Sequence, residues 1–193
     1  MPERSRMILA WLAIAGTVSV LLLFGPTACS DEDNPNLPSI GPPNTIGIYF
    51  DDLARKSSLQ VEVDGTFDLY VFAFDVDGNL QKSRFDILGL TAGTVEVLET
   101  VVYPVGIGTD TFEGLDGFYS LDHGSCYAAV GEVILLHLRV RLLQAVQDLT
   151  FRLEPSSLAP AVDCPTRPSV LHCDGTHGCL NYADDGEAIL NPS

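Results

Sequence analysis

Phe67-Asp68-Leu69-Tyr70-Val71-Phe72-Ala73-Phe74-Asp75-Val76 is the stretch on which the fold class turns. Successive side chains of an extended strand point to opposite faces. Phe67, Leu69, Val71 and Ala73 therefore share one face, and Tyr70, Phe72, Phe74 and Val76 share the other. Both faces are apolar and both must be covered, which predicts a central strand. Asp77-Gly78 stands between this run and residues 80–90. Both of its positions tolerate positive φ, so the pair predicts a two-residue hairpin turn. Farther along, Leu136-His137-Leu138-Arg139-Val140-Arg141-Leu142 alternates strictly, with His137, Arg139 and Arg141 on the polar side, the pattern of a half-buried strand. Leu149-Thr150-Phe151-Arg152-Leu153 repeats it, and residues 144–148 supply a polar connection, so these two runs are expected to pair as a hairpin.

Further strands are predicted at residues 46–50, 59–63, 94–103 and 126–130, with a weaker candidate at 118–121. Residues 132–146 are long enough for a helix, but alternation across seven positions favours a strand. No internal repeat is present. Seven to nine short strands over about 110 residues imply an all-β domain, a two-sheet antiparallel β-sandwich packed face to face. The organisation read from the sequence is a signal peptide over residues 1–28, a tether over 29–44, the sandwich over 45–160 and a cysteine-containing C-terminal segment over 161–193.

The composition agrees. There are 17 Gly, 12 Pro and only two Lys among 193 residues, which suits short strands joined by turns. A hydrophobic content of 46%, organised in runs, excludes intrinsic disorder. Without residues 1–28 the chain keeps 25 acidic and 8 basic side chains, a formal charge of −17. Nucleic acid is excluded as a partner, because binding it takes Lys and Arg to displace phosphate counterions. An anionic membrane surface is disfavoured for the same reason.

Arg4 and Arg6 precede an apolar run over residues 7–24, followed by Gly25, Pro26, Thr27, Ala28 and Cys29. This is the pattern of an export signal, with small residues that let a peptidase approach the backbone. Cys29 resembles the acyl acceptor of a bacterial lipoprotein signal, although Pro26 stands where such signals usually carry Leu. The alternative is an uncleaved anchor, since 18 apolar residues are just long enough to span. Residues 30–43 hold four Pro and three acids, a composition expected of a disordered tether.

Setting Cys29 aside leaves Cys126, Cys164, Cys173 and Cys179. An even remainder in an exported chain predicts two disulfides. Three pairings are open. The expected one joins Cys126 to Cys164 and Cys173 to Cys179, whose short loop contains Gly175 and Gly178. His172 and His177 make zinc the alternative for this stretch, but the cysteine spacing is wrong for it and export favours oxidised thiols.

Asp75, Asp77 and Asn79 alternate like the first ligands of a calcium loop, with Asp86 in the twelfth place. Leu80 occupies the position that should be Gly, so a plain turn is preferred and no cofactor is expected, with calcium as the alternative. Asp51-Asp52 and Asp184-Asp185-Glu187 read as solvated turns. Ser120, Asp122 and His123 have the residue types of a hydrolytic triad, but such close neighbours on an extended segment rarely form one, and no G-x-S-x-G elbow exists. Gly106-Ile107-Gly108 is no dinucleotide loop, because Thr111 replaces the third glycine. Tyr49, Tyr70, Tyr103, Tyr119, Tyr127 and Tyr182 could furnish a sugar-stacking platform on a sheet face, with core packing the default for each ring.

Ile46-Gly47-Ile48-Tyr49-Phe50-Asp51, the strand at 67–76, and the ending from Cys173-Asp174-Gly175 to Ala188-Ile189-Leu190-Asn191-Pro192 resemble uncharacterised exported bacterial proteins with a cohesin-like or immunoglobulin-like β-sandwich. The resemblance spans most of residues 46–192 and carries no catalytic signature. It implies a sandwich that binds a ligand or builds surface architecture. Cohesins bind dockerin modules through a sheet face, but these residues do not identify such a face. The expected function is a non-enzymatic, lipid-anchored or secreted binding protein that engages a protein or glycan outside the cytoplasm and touches the membrane only through its lipid. The alternative is a metal-dependent extracytoplasmic hydrolase using calcium or zinc.

Overall fold

The structure, a computed structural model, describes residues 41–103, 110–111, 117–157 and 163–192. The expected export segment, Cys29, most of the expected tether and the 106–108 glycines lie outside the described residues. The chain runs through β1 (Thr45–Tyr49), β2 (Ser58–Val61), β3 (Thr66–Phe74), β4 (Asn79–Leu88), β5 (Val95–Val102), β6 (Asp110–Thr111) and β7 (Phe118–Ala128). It continues through β8 (Glu132–Leu142), β9 (Leu149–Glu154), β10 (Ser169–His172), β11 (His177–Cys179), β12 (Asn181–Tyr182), a 3₁₀ turn at Asp184–Gly186, and β13 (Glu187–Pro192).

Two sheets result. The first has the order β12-β1-β3-β8-β5, and β3 is its central strand. The second runs β11-β10-β4-β9-β13-β2, with β7 on the remaining side of β4 and β6 beside β7. The two-faced reading of β3 is realised. Phe67, Leu69, Val71 and Ala73 enter the main core between the sheets, whereas Phe72 and Phe74 join Tyr49, Ala54 and Ala183 in a smaller cluster on the outer side. Val76 departs from expectation, because Asp75 at φ 40° turns the chain and delivers Val76 to the main core. Leu136, Leu138, Val140 and Leu142 supply the inward face of β8. Phe67 of the first sheet meets Phe151 of the second at 5.7 Å between ring centroids, and Phe50 packs edge-on to both. Offset and edge-to-face contacts of this kind add about 0.5–1.5 kcal/mol to area burial.

Both predicted hairpins are corrected. β3 and β4 belong to different sheets, so Asp77-Gly78 is a corner between layers, made possible by φ 82° at Gly78. β8 pairs with β3 and β5, while β9 pairs with β4 and β13, so residues 143–148 also change sheet. Period-two alternation fixes which side chains face inward but leaves the hydrogen-bonding partner open, and in a sandwich the neighbour in sequence can lie in the opposite layer.

The expected disulfide pairing is corrected as well. Cys126 joins Cys173 and Cys164 joins Cys179, with Cα separations of 5.7 and 5.4 Å. The reason is register. In the β10–β11 hairpin Ser169 lies opposite Cys179 and Leu171 opposite His177, so Cys173 sits at the turn and Cys179 at the far end. Cys173 instead meets a bulge of β7, where residues 123–126 face the single β4 residue Gln81. The C-terminal segment is thus stapled twice and supplies strands to both sheets.

Candidate functional site

Polar positions of the first sheet's strands come together on its outer face. β3 places Asp68 and Tyr70 there, and β8 places His137, Arg139 and Arg141, with Tyr70 opposite His137 and Asp68 opposite Arg139. β5 adds Glu96 opposite Arg141 and Glu99 opposite Arg139. Asp68 Oδ1 and His137 Nε2 are 2.8 Å apart. The His137 and Tyr70 rings stack 4.4 Å apart at an interplanar angle of 6°. Arg141 Nε donates to Glu96 Oε2 at 3.0 Å. Tyr70 is half-buried, and its hydroxyl pKa is raised first by that burial and then by the charges of Asp68, Asp52 and Asp51 and by nearby Tyr103. Farther along the face the surface closes: Tyr49, Phe72 and Phe74 are buried, and Tyr49 Oη donates to Asp184 Oδ2 at 2.8 Å. Burial, then that bond and the charges of Asp184 and Glu132, push the Tyr49 hydroxyl well above the usual phenol range.

The calcium-like residues do not converge. Asp75 Oδ1 accepts from the Gly131 amide at 2.7 Å, while Asp77 Oδ2 accepts from Asn44 Nδ2 at 2.6 Å. Asp86 lies within β4 and accepts from the Ser157 amide at 2.9 Å. Asp77 and Asn79 instead line an open cleft of about 560 Å³ with His172, Cys173, Asp174 and Thr176. Among the described residues no group of three or more His, Cys, Asp or Glu side chains is arranged to hold a metal ion. The disulfides also remove Cys173 and Cys179 as thiolate ligands for zinc. His177 is exposed.

The strand pleat keeps Ser120 and Asp122 on one face of β7 and turns His123 to the other. Asp122 faces outward to Lys82 Nζ at 2.6 Å, and that bond, with one from the Gly124 amide, holds its carboxyl below the usual range. His123 faces inward and is fully buried. It forms a pair that the sequence did not suggest. Ser83 Oγ lies 3.0 Å from His123 Nε2, and His123 Nδ1 lies 2.7 Å from the Tyr103 carbonyl oxygen. A carbonyl can only accept, so Nδ1 carries the proton and Nε2 accepts from the Ser83 hydroxyl. Burial keeps the imidazole neutral by lowering its pKa. With Ser83 1% and His123 0% exposed, this pair is sealed from any substrate, and the His123 bond to the Tyr103 carbonyl ties β7 of the second sheet to the residue that follows β5 in the first. Forty positions separate its members, and no spacing rule would have joined them.

Of the candidate stacking tyrosines, Tyr49 and Tyr119 are buried and Tyr182 packs against the main core. Tyr70 and Tyr103 keep partial exposure, and the Tyr127 side chain lies outside the described residues.

No protein-family model matches the sequence, and a search of curated proteins finds no match. Solved structures do match. A cohesin module of a family 33 glycoside hydrolase from Clostridium perfringens aligns over 80% of this chain and 99% of its own, at 13% identity and a TM-score of 0.50. The sixth cohesin of scaffoldin B from Acetivibrio cellulolyticus, solved in complex with the Cel5 dockerin, aligns over 79% and 100% at 10% identity and a TM-score of 0.50. A non-cellulosomal cohesin from the archaeon Archaeoglobus fulgidus aligns over 77% and 91%, again at 10% identity and 0.50. At these identities the likeness concerns the fold, and the fold of this chain is a cohesin-like β-sandwich.

Proposed function

We propose that this chain is a non-enzymatic binding module that works outside the cytoplasm and takes a protein as its ligand. The observation that carries the reading is the contrast between its two polar constellations. The Asp68–His137–Tyr70 group lies on the outer face of the first sheet, with Asp68 partly exposed, whereas the Ser83–His123 pair is buried. Sites on strands are held more firmly than sites on loops, which suits recognition of a preformed partner. The fold shared with cohesin modules, one of them solved with a bound dockerin, supports a protein ligand by analogy of architecture.

Export is supported by the apolar run at residues 7–24 and by two disulfides, which persist in oxidising compartments. Among the described residues no helix is long and apolar enough to cross a membrane. The proposed attachment is acylation of Cys29, with residues 30–43 spacing the sandwich from the lipid. Non-reducing and reducing mass spectrometry of the mature protein tests this part, and an unmodified Cys29 on an uncleaved chain would refute it. The binding reading is tested by affinity capture from the source cell's envelope, with a glycan array run in parallel. A single saturable protein partner is the expected result, and a glycan ligand, or no ligand from either, would refute it.

A further inference from the structure

The two disulfides are set into the fold in different ways. Cys164–Cys179 has a sealed member, since Cys164 is 2% exposed. Cys126–Cys173 lies nearer the surface. Cys126 is exposed, as are Gly124 and Ser125 before it. It belongs to the β7 bulge, where residues 123–126 face the single β4 residue Gln81. A bulge takes residues out of the ladder and re-aims their side chains, and such bulges concentrate beside working sites. Among the described residues, β6 covers the second side of β7 only at Ser120 and Leu121, so the approach to Cys126 is open there. Its partner Cys173 is half-buried and walls the open cleft of about 560 Å³ together with Gly78, His172 and Asp174.

Contacts other than the sulfur bond hold both cysteines in place. His172 N–H donates to the Thr176 carbonyl at 2.9 Å and Gly175 N–H to the His172 carbonyl at 3.0 Å, which closes the turn around Cys173. Cys173 N–H donates to the Asn79 carbonyl at 3.0 Å and fastens that turn to β4. On the other side, Tyr127 and Ala128 resume the β4 register immediately after Cys126. The sulfur bond can therefore open while the strands around it stay paired. Exchange requires a sulfur that an incoming thiolate can reach, and a second sulfur that leaves as thiolate. We propose that Cys126–Cys173 is an exchange site at which the folded chain takes an external thiol. The incoming thiolate attacks Cys126 Sγ and a new sulfur–sulfur bond forms. The Cys126–Cys173 bond breaks, and its electron pair leaves with Cys173, which takes up a proton on the cleft side. The incoming sulfur is oxidised and Cys173 is reduced, so the step needs no other oxidant or reductant. The product carries a mixed disulfide at Cys126 and a free thiol at Cys173, a reversible covalent attachment point that is independent of the binding-module reading.

The test exposes the folded, oxidised chain to mercaptoethanol at about pH 8, where an ordinary thiol is partly ionised. This probe is neutral, so the charge of the chain does not bias it. Samples quenched at intervals with iodoacetamide are mapped by mass spectrometry. The first product should carry mercaptoethanol on Cys126 and the alkyl group on Cys173, with Cys164–Cys179 intact and the circular dichroism of the folded chain unchanged. Cys126–Cys173 should open on the order of tenfold faster than Cys164–Cys179. Equal rates, or an adduct mainly on Cys173, would overturn the proposal. So would two alkylated thiols with no preceding adduct, or exchange that appears only in denaturant. Cys173→Ser leaves Cys126 as a free thiol and reports its access alone. In the folded variant Cys126 should form the mixed disulfide with hydroxyethyl disulfide, and an inert Cys126 would overturn the choice of attacked sulfur. If that variant does not fold, the adduct map of the unchanged chain decides the matter.

Discussion

His123 carries a pH dependence that can be derived from its surroundings. Its folded pKa is lowered by burial, against smaller opposing effects from the Tyr103 carbonyl and Asp122, while the unfolded chain keeps the ordinary value of 6.5. Lowering a histidine's folded pKa means that the unfolded chain binds the proton more readily, so stability is full above 6.5 and declines as pH falls below it. The unfolding midpoint should therefore drop between pH 7 and 5.5, and His123→Gln should flatten that part of the profile. A thermal melt series on both proteins checks it. Asp86 has the opposite sign. It is 4% exposed, its Oδ1 has no hydrogen-bond partner among the described residues, and burial raises its pKa although the Ser157 amide pulls it down. At neutral pH the folded state holds an ionised carboxylate at a cost, which is relieved as pH falls through the raised folded value. Asp86→Asn should then raise the melting temperature at pH 7, and the gain should shrink towards pH 4. A lower melting temperature at pH 7 would mean that the Ser157 contact needs the charge.

At the scale of strands and staples, the two disulfides differ in exposure. Cys126 is exposed and Cys173 partly so, whereas Cys164 is 2% exposed. Mild dithiol reductant should open Cys126–Cys173 first, and timed alkylation followed by peptide mapping would show the order. Loop-closure entropy gives about 4 kcal/mol for the 47-residue separation and about 3 kcal/mol for the 15-residue one. Replacing either pair by Ser should cost a comparable amount in chemical denaturation. The pairing was illegible in the sequence because a short loop with two glycines favours Cys173 with Cys179, and only the β10–β11 register separates them. Facing was legible: the alternation over 67–74 and 136–142 put the correct residues into the core. Partnership was not, because residues 75–78 and 143–148 each look like hairpin connections and each passes between layers. Gly117 shows a related blindness. At φ 79° its missing Cβ would lie 2.2 Å from the Ile87 carbonyl oxygen, a close approach that only the folded sheet creates. The polar outer face of the first sheet could be read in part, since His137, Arg139 and Arg141 were recognised as outward-facing, but the union of Asp68, Tyr70 and His137 needed the β3–β8 register.

Across the whole molecule the dominant electrostatic fact is its surplus of negative charge. Self-repulsion of this size opposes compaction and is screened within about 10 Å at 0.1 M salt. The exposed ion pairs that salt would weaken contribute little individually. Raising sodium chloride from about 0.02 to about 0.5 M should therefore increase the melting temperature, and a fall would show that the paired strands depend on their ion pairs more than the charge balance implies. Topology adds a kinetic property. Most strand pairs join segments far apart in sequence, as in β1 with β12 and β2 with β13, which makes for slow folding. Residues 181–192 hydrogen-bond to the earliest strands of both layers. During vectorial synthesis neither layer can be completed before that segment emerges from the ribosome, so both sheets keep open edges until residues 181–192 have been made.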